Sequence, residues 1–177
     1  MVAVIGDSTF VHSGITPLID TVYNQGTSTV LILDNDTTAM TGHQDHPATG
    51  VTIKKSPTKK LDIEALVRAV GIDNVRVVDP LKLDELEAAI REELERREPS
   101  VIIAKRACAL IDPTPITSTL FVDEELCNGC KACIRIGCTG IFFNDDEKKA
   151  AINPNTCVSC GMCVQVCKFD AIKVVEG

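Results

Sequence analysis

Two runs of cysteines at three-residue pitch constrain this chain more than any other feature. Cys127, Cys130 and Cys133 form one CxxCxxC run, and Cys157, Cys160 and Cys163 form the other. Each is trailed by one more cysteine, Cys138 after four intervening residues and Cys167 after three. Eight thiolates in two sets of four match the ligand requirement of two [4Fe-4S] cubanes. A tight loop with a cysteine at every third residue lays three thiolates over three corners of a cube, so the fourth corner needs a ligand from elsewhere. Gly129, Gly137, Gly140 and Gly161 stand where a chain turning around a cluster is expected to take positive φ. A zinc ribbon uses two CxxC pairs and has no use for the third cysteine of each triplet. A disulfide framework belongs to small domains in an oxidising compartment, whereas this chain shows no apolar signal segment and carries a long enzyme-like stretch ahead of the cysteines.

From Leu120 to Val175 the sequence resembles the two-cluster bacterial ferredoxins. Thr139 and Lys168 depart from the proline that usually follows each trailing cysteine. In that family the trailing cysteine of each run crosses to the other cluster. The resemblance therefore implies Cys127, Cys130, Cys133 and Cys167 on one cluster and Cys138, Cys157, Cys160 and Cys163 on the second. Cys108 is the ninth cysteine, surplus to both, and is expected to be a small buried residue following a strand.

The 177 residues allow one ordinary domain plus a small one, and with 45% hydrophobic residues a packed core is expected. A formal net charge of −7 argues against nucleic acid as a partner. No apolar run approaches the length that spans a bilayer, so the chain is expected in the cytoplasm, where a reducing environment suits iron–sulfur clusters.

Ahead of the cysteines the pattern is α/β. Met1 to Ile5 reads as a strand that breaks at Gly6, Asp7 and Ser8 into a turn, with a helix from about Ser13 to Asn24. Ser28 to Leu33 is a second strand, ending at Asp34, Asn35 and Asp36. The polar stretch from Thr37 to Gly50 has no usable period, and a long loop at a strand's carboxyl end is where open α/β sheets hold ligands. Asp62 is a candidate N-cap for a helix with apolar face Ile63, Leu66, Val67 and Val70, stopped by Gly71. Val75 to Val78 reads as a strand. Leu83, Leu86, Ile90 and Leu94 mark a charged helix reaching about Arg97, and Val101 to Ala104 is a buried strand. Alternation of this kind predicts a parallel sheet of βαβ units. The expected division is an α/β domain over residues 1–112, a linker over 113–119 and a small α+β ferredoxin-like domain over 120–177. Within the last, Ile141 to Phe143 and the run around Ile152 read as a hairpin, and Ala171 to Val175 as a closing strand.

The second constellation lies at the two strand ends. A carboxylate at Asp7 and an amide oxygen at Asn35, on neighbouring parallel strands, make a hard oxygen site suited to Mg²⁺. The pattern resembles the thiamine diphosphate motif, GDG followed further along by Asn, with Ser8 departing from the last glycine. TAMTGHQ, Thr38 to Gln44, is similar to the segment that follows the metal loop in 2-oxoacid:ferredoxin oxidoreductases. That resemblance implies Mg²⁺ held by Asp7, Asn35 and the backbone carbonyl of Thr37, with Gly6, Ser8, Thr41 and Gly42 close to the cofactor. His12 and His43 are candidates for handling a proton in catalysis, and His46 shares the loop with His43.

The cluster module follows the thiamine-binding part here, as in the carboxyl-terminal part of the large (alpha) subunits of indolepyruvate ferredoxin oxidoreductases, which the whole chain resembles. The resemblance implies oxidative decarboxylation of an arylpyruvate, coenzyme A taking the acyl group and electrons passing through the clusters to ferredoxin. A small (beta) subunit and a chain supplying a pyrimidine-binding domain are the implied partners, since no residues here correspond to that domain. The isolated chain is accordingly expected to be inactive, with its first strand forming an uncovered edge. An iron–sulfur carrier with an α/β docking domain, or an inactive fragment, remains open on the sequence alone.

Overall fold

Five consecutive buried residues, Ser100 to Ala104, form the centre of the first sheet. Such a run has no polar face to offer water, so it needs cover on both sides, as interior strands of parallel sheets have. In the computed structural model, which describes residues 1–112 and 118–176, this strand is β4 (Ser100–Lys105). It pairs in parallel with β2 (Thr29–Asp34) on one side and β3 (Asn74–Val78) on the other. β1 (Val2–Gly6) pairs with the far side of β2, giving the order β1-β2-β4-β3. β1 is an edge strand, with Val2 and Val4 exposed, in line with the uncovered edge expected. The chain divides into two units, Met1–Asp112 and Pro113–Gly177.

The first unit departs from the sequence reading immediately after β1. Instead of a turn followed by a helix near Ser13, the chain is helical from Asp7 onward: α1 (Asp7–Thr9), a π-helical stretch (Phe10–Gly14) and α2 (Ile15–Tyr23) follow without a break. The tight packing of Gly14 accompanies this local widening, since a Cβ there would stand 2.8 Å from the Phe10 ring. His12 Nδ1 donates to Ser8 O at 2.7 Å, and Ser13 Oγ donates to Thr9 O at 3.2 Å. The GDS segment is thus a strand end followed at once by the first helical turn.

Phe10, Leu18, Ile32, Val101 and Ile103 pack into one core with Ile63 and Val67 of α3 (Ile63–Ala69). Asp62 caps α3 as expected, its Oδ1 accepting from Ala65 N at 3.0 Å, a contact worth about 1 kcal/mol. α4 (Leu83–Leu94) ends earlier than its charge pattern suggested. Its buried positions are Ala89 and Glu93; Leu83, Leu86 and Ile90 of the expected apolar face are only partly covered and Leu94 is exposed. Glu93 is 2% exposed because Arg76 Nε on β3 and Arg96 Nε reach its two oxygens at 2.8 and 2.7 Å. A buried carboxylate is tolerable only with such partners.

The second unit contains β5 (Ser118–Val122) antiparallel to β8 (Ile172–Glu176), and a hairpin of β6 (Ile141–Asn144) and β7 (Lys149–Ile152). A 3₁₀ turn (Cys133–Ile136) and α5 (Met162–Gln165) follow the two cysteine runs. Leu120, Ile141, Ala150 and Ile172 form the core with Cys133 and Cys163. The hairpin and closing strand match the sequence reading; β5 begins within the expected linker, at Ser118 and Thr119. The rest of that linker, residues 113–117, lies outside the described residues. Among the described residues no helix is long and apolar enough to cross a membrane.

Candidate functional site

Each cysteine run winds through left-handed backbone at two matching places. Gly129 (φ 73) and Lys131 (φ 62) occupy the second and fourth positions after Cys127, and Ser159 (φ 52) and Gly161 (φ 77) occupy them after Cys157. The internal repeat is therefore written in the backbone as well as in the cysteines. Loops containing left-handed residues turn their N–H groups inward and make concavities that suit anions, including iron–sulfur sites. At Gly129 a side chain is barred twice, by φ and by Lys148 O, which would stand 2.3 Å from a Cβ. Gly140 differs from the expectation: its φ is ordinary, and glycine is needed there because a Cβ would come to 3.0 Å from Cys157 Cα.

Cys127, Cys130 and Cys133 line one cavity together with Cys167. Cys157, Cys160 and Cys163 line a second together with Cys138. Each cavity thus takes three thiols from one run and the trailing thiol of the other. Burial raises the Cys163 thiol to about 11, and its neighbours Cys160, Cys157 and Cys138 add to the shift. Burial also raises Cys133, with further upward contributions from Cys167, Cys127 and Cys130. The same grouping is therefore visible in which thiols feel one another's charge. Both thiols must give up a proton to become ligands, so loading the site with metal releases protons. Backbone N–H groups point at three of the sulfurs: Gly140 N at Cys138, Ser159 N at Cys157 and Ala171 N at Cys167, at 3.3 to 3.4 Å. Among the described residues no three His, Cys, Asp or Glu side chains converge on a point that one ion could occupy. The thiols instead surround cavities, the arrangement that suits one iron per thiolate at four corners of a cube.

Cys108 follows β4 and is half-buried, less enclosed than the sequence suggested. Its N–H donates to Asn35 O at 3.0 Å, and its carbonyl accepts from Ile111 N and Asp112 N. It lines neither cysteine cavity. Cys108→Ala is expected to leave the iron content of anaerobically prepared protein unchanged, measured by colorimetric iron assay.

In the first unit the carboxyl ends of β1 and β2 bring Asp7 and Asn35 together. Asp7 is 2% exposed; its Oδ1 accepts from Ser8 N at 2.7 Å and its Oδ2 from Asn35 N at 3.2 Å. Asn35 Oδ1 in turn accepts from Thr37 N at 3.2 Å, and Thr37 is buried. Thr38 Oγ1 donates to Ser8 Oγ at 2.8 Å, tying the loop after β2 to the first turn of α1. A Cβ at Gly6 would meet nothing within 4 Å, so the space beside the strand end is open. A carboxylate and an amide oxygen at adjoining strand ends are donor types that a hard divalent cation takes, and the open space beside Gly6 leaves room for a ligand.

Thr41 and Gly42 lie further along the same loop and are exposed; Thr41 Oγ1 donates to Gln44 Oε1 at 2.6 Å, and Gly42 takes φ 114. The Thr41 side chain bonds within the loop, which Thr38 and Gln44 close through Thr38 N and Gln44 O at 3.0 Å. His12 and His43, the histidines singled out from the sequence, are both exposed, and among the described residues neither bonds to Asp7. The histidine beside Asp7 is His46, 5% exposed, with Nε2 at 3.3 Å from Asp7 Oδ2. Asp34, also buried, has its carboxyl raised by burial, opposed by Lys105 at 3.7 Å.

The family model described as thiamine pyrophosphate enzyme, C-terminal TPP binding domain, matches residues 1–104, and one described as 4Fe-4S binding domain matches residues 150–173. The chain therefore belongs to the thiamine pyrophosphate enzyme family through its C-terminal binding domain, which is joined here to an iron–sulfur domain. More particularly, it is similar to the indolepyruvate oxidoreductase subunit IorA. Identity is 43% over 188 residues with the protein of Pyrococcus horikoshii, covering 100% of this chain and 28% of that one. With that of Pyrococcus abyssi it is 42% over 186 residues, covering 99% and 28%. The cysteine-rich part is also similar to a ferredoxin of Rickettsia felis, 40% identical over 57 residues, which cover 31% of this chain and 50% of the ferredoxin. The chain thus spans about a quarter of the length of the IorA relatives.

Proposed function

We propose that this chain is part of a thiamine diphosphate-dependent 2-oxoacid oxidoreductase that acts on indolepyruvate or related arylpyruvates, with coenzyme A receiving the acyl group and ferredoxin the electrons. The observation that carries the reading is the sorting of eight cysteines into two crossed sets of four, in a chain whose other unit gathers oxygen donors at adjoining strand ends. Thiamine diphosphate supplies the electron sink that lets a 2-oxoacid lose carbon dioxide, and iron–sulfur clusters take up electrons singly. Oxidation of one 2-oxoacid to the acyl level releases two electrons, which two cubanes match at one each.

The chain's own residues have separable tasks in this scheme. Asp7, Asn35 and the Thr37 carbonyl hold Mg²⁺, which anchors the diphosphate. The Ser8–Thr38 hydroxyl pair fixes the loop over that anchor. The eight cysteines hold the clusters, and the N–H groups of Gly140, Ser159 and Ala171 stabilise negative charge on the sulfurs, an influence that raises reduction potential. A small subunit and a pyrimidine-binding domain complete the enzyme.

Composition tests the reading. Anaerobically purified protein, assembled with its partner subunit, should hold about eight iron atoms per chain, as two cubanes require, and should bind thiamine diphosphate only when Mg²⁺ is present. Iron at that level with no Mg²⁺-dependent thiamine binding would instead identify an electron carrier whose α/β unit serves another purpose.

A further inference from the structure

His46 has one ring nitrogen with a defined role and one that faces the metal-binding carboxylate. Ala48 N donates to its Nδ1 at 3.3 Å, so Nδ1 carries a lone pair and the hydrogen sits on Nε2. Nε2 lies 3.3 Å from Asp7 Oδ2, within ion-pair reach, yet it is buried with no hydrogen-bond partner among the described residues. The ring cannot easily swing away. The backbone turn that carries it is closed by Thr49 N and Thr49 Oγ1, both donating to His46 O at 2.9 Å, and by Leu61 N donating to Pro47 O at 2.9 Å. Ala48, 1% exposed, seals the turn into the core.

The lone pairs of Asp7 can be counted. A carboxylate offers about four acceptor positions. Ser8 N takes one on Oδ1 and Asn35 N takes one on Oδ2, while the second position on Oδ2 faces His46 Nε2 at 3.3 Å without a closed hydrogen bond. The remaining position on Oδ1 faces no such donor among the described residues. Resting on the reading of Asp7 as a Mg²⁺ ligand, we propose that His46 is a positioning residue: its Nε2–H occupies Oδ2 and holds the carboxylate so that Oδ1 is the atom presented to the cation. Partners that orient a metal ligand in this way typically change metal affinity 10–100-fold when removed.

The test uses the full chain in its assembled enzyme, with Mn²⁺ replacing Mg²⁺ so that free ion can be counted by electron paramagnetic resonance at saturating thiamine diphosphate. His46→Leu should weaken Mn²⁺ binding by about 10–100-fold. His46→Gln, whose amide N–H reaches the place of Nε2, should recover most of the loss. His46→Asn retains an acceptor for Ala48 N but is too short to reach Oδ2, so it should bind as weakly as the Leu variant; it serves if the Leu variant does not fold. Melting temperature and iron content, read alongside, separate folding from metal binding. Wild-type Mn²⁺ affinity in folded His46→Leu or His46→Asn overturns the proposal, as does failure of His46→Gln to bind better than His46→Asn. If the unmodified enzyme binds no Mn²⁺, the reading of Asp7 as a metal ligand fails first and the role of His46 falls with it.

Discussion

Asp7→Asn is expected to abolish thiamine diphosphate binding in the assembled enzyme while leaving both clusters reducible by dithionite. The substitution keeps the size of a side chain that is 2% exposed but removes its charge and turns one of its acceptors into a donor. The Asn35 or Ser8 backbone N–H then faces an N–H₂ group, and two buried donors left facing each other cost about 1–3 kcal/mol. The cation also loses its charged ligand. Removing only an outer partner of a ligand costs roughly 10–100-fold in metal affinity, so removing the carboxylate itself should exceed that range. Asn35→Leu should act similarly through the lost amide oxygen, which also frees Thr37 N. The eight cysteines belong to the other unit of the chain, so iron content should not change. Thiamine-dependent turnover at the unmodified rate in either variant would show that these strand ends are not a metal site.

The second large effect distinguishes crossed from uncrossed cluster ligation. If Cys138 serves the same cubane as Cys157, then Cys138→Ala combined with Cys157→Ala damages one site only, and about four of eight iron atoms should remain. Cys138→Ala combined with Cys127→Ala damages both sites, and iron should fall toward zero. Uncrossed ligation reverses the two outcomes, because Cys138 would then share a cluster with Cys127. Where loss of one ligand leaves a three-iron form, the variant damaged at both sites keeps about six iron atoms instead of none; in either case the variant that keeps about four, as one intact cubane, is the one whose two cysteines share a cluster. The two cavities, each closed by the trailing cysteine of the other run, support the crossed outcome.

The parts of this protein that the sequence disclosed are those whose signal is local. A cysteine at every third residue states its purpose without reference to the fold, and the apolar run that became β4 is legible because a strand buried on both faces needs continuous hydrophobic sequence, while the β-branched runs of β2 and β3 carry the same local signal. Asp62 announced its helix because a cap acts on the next turn. What stayed hidden depends on contacts distant in sequence. Glu93 sits on a helix whose charges read as a solvated face, and its burial is set by Arg76 on β3. The helical start at Asp7 stayed hidden because Gly6, Asp7 and Ser8 read locally as a turn, whereas the chain is helical from Asp7 through the π stretch Phe10–Gly14.

The histidines show the limit most plainly. His43 and His46 lie three positions apart in a loop without periodicity, and their side chains end in opposite environments. His43 takes a left-handed φ of 58 after Gly42 and faces solvent, whereas His46 is drawn inward with Ala48. Pro47 and the Thr49 hydroxyl, which shape the turn after His46, were the available cues, but neither reveals that Asp7 lies opposite.

Electrons released at the α/β unit are expected to enter the clusters of the same chain, which electron paramagnetic resonance of the assembled enzyme, frozen after anaerobic addition of indolepyruvate and coenzyme A, tests directly. Reduced [4Fe-4S] signals should appear in the unmodified protein and be missing from Asp7→Asn, although dithionite reduces the clusters in both. Clusters that stay oxidised with substrate in the unmodified enzyme, yet respond to dithionite, would contradict it.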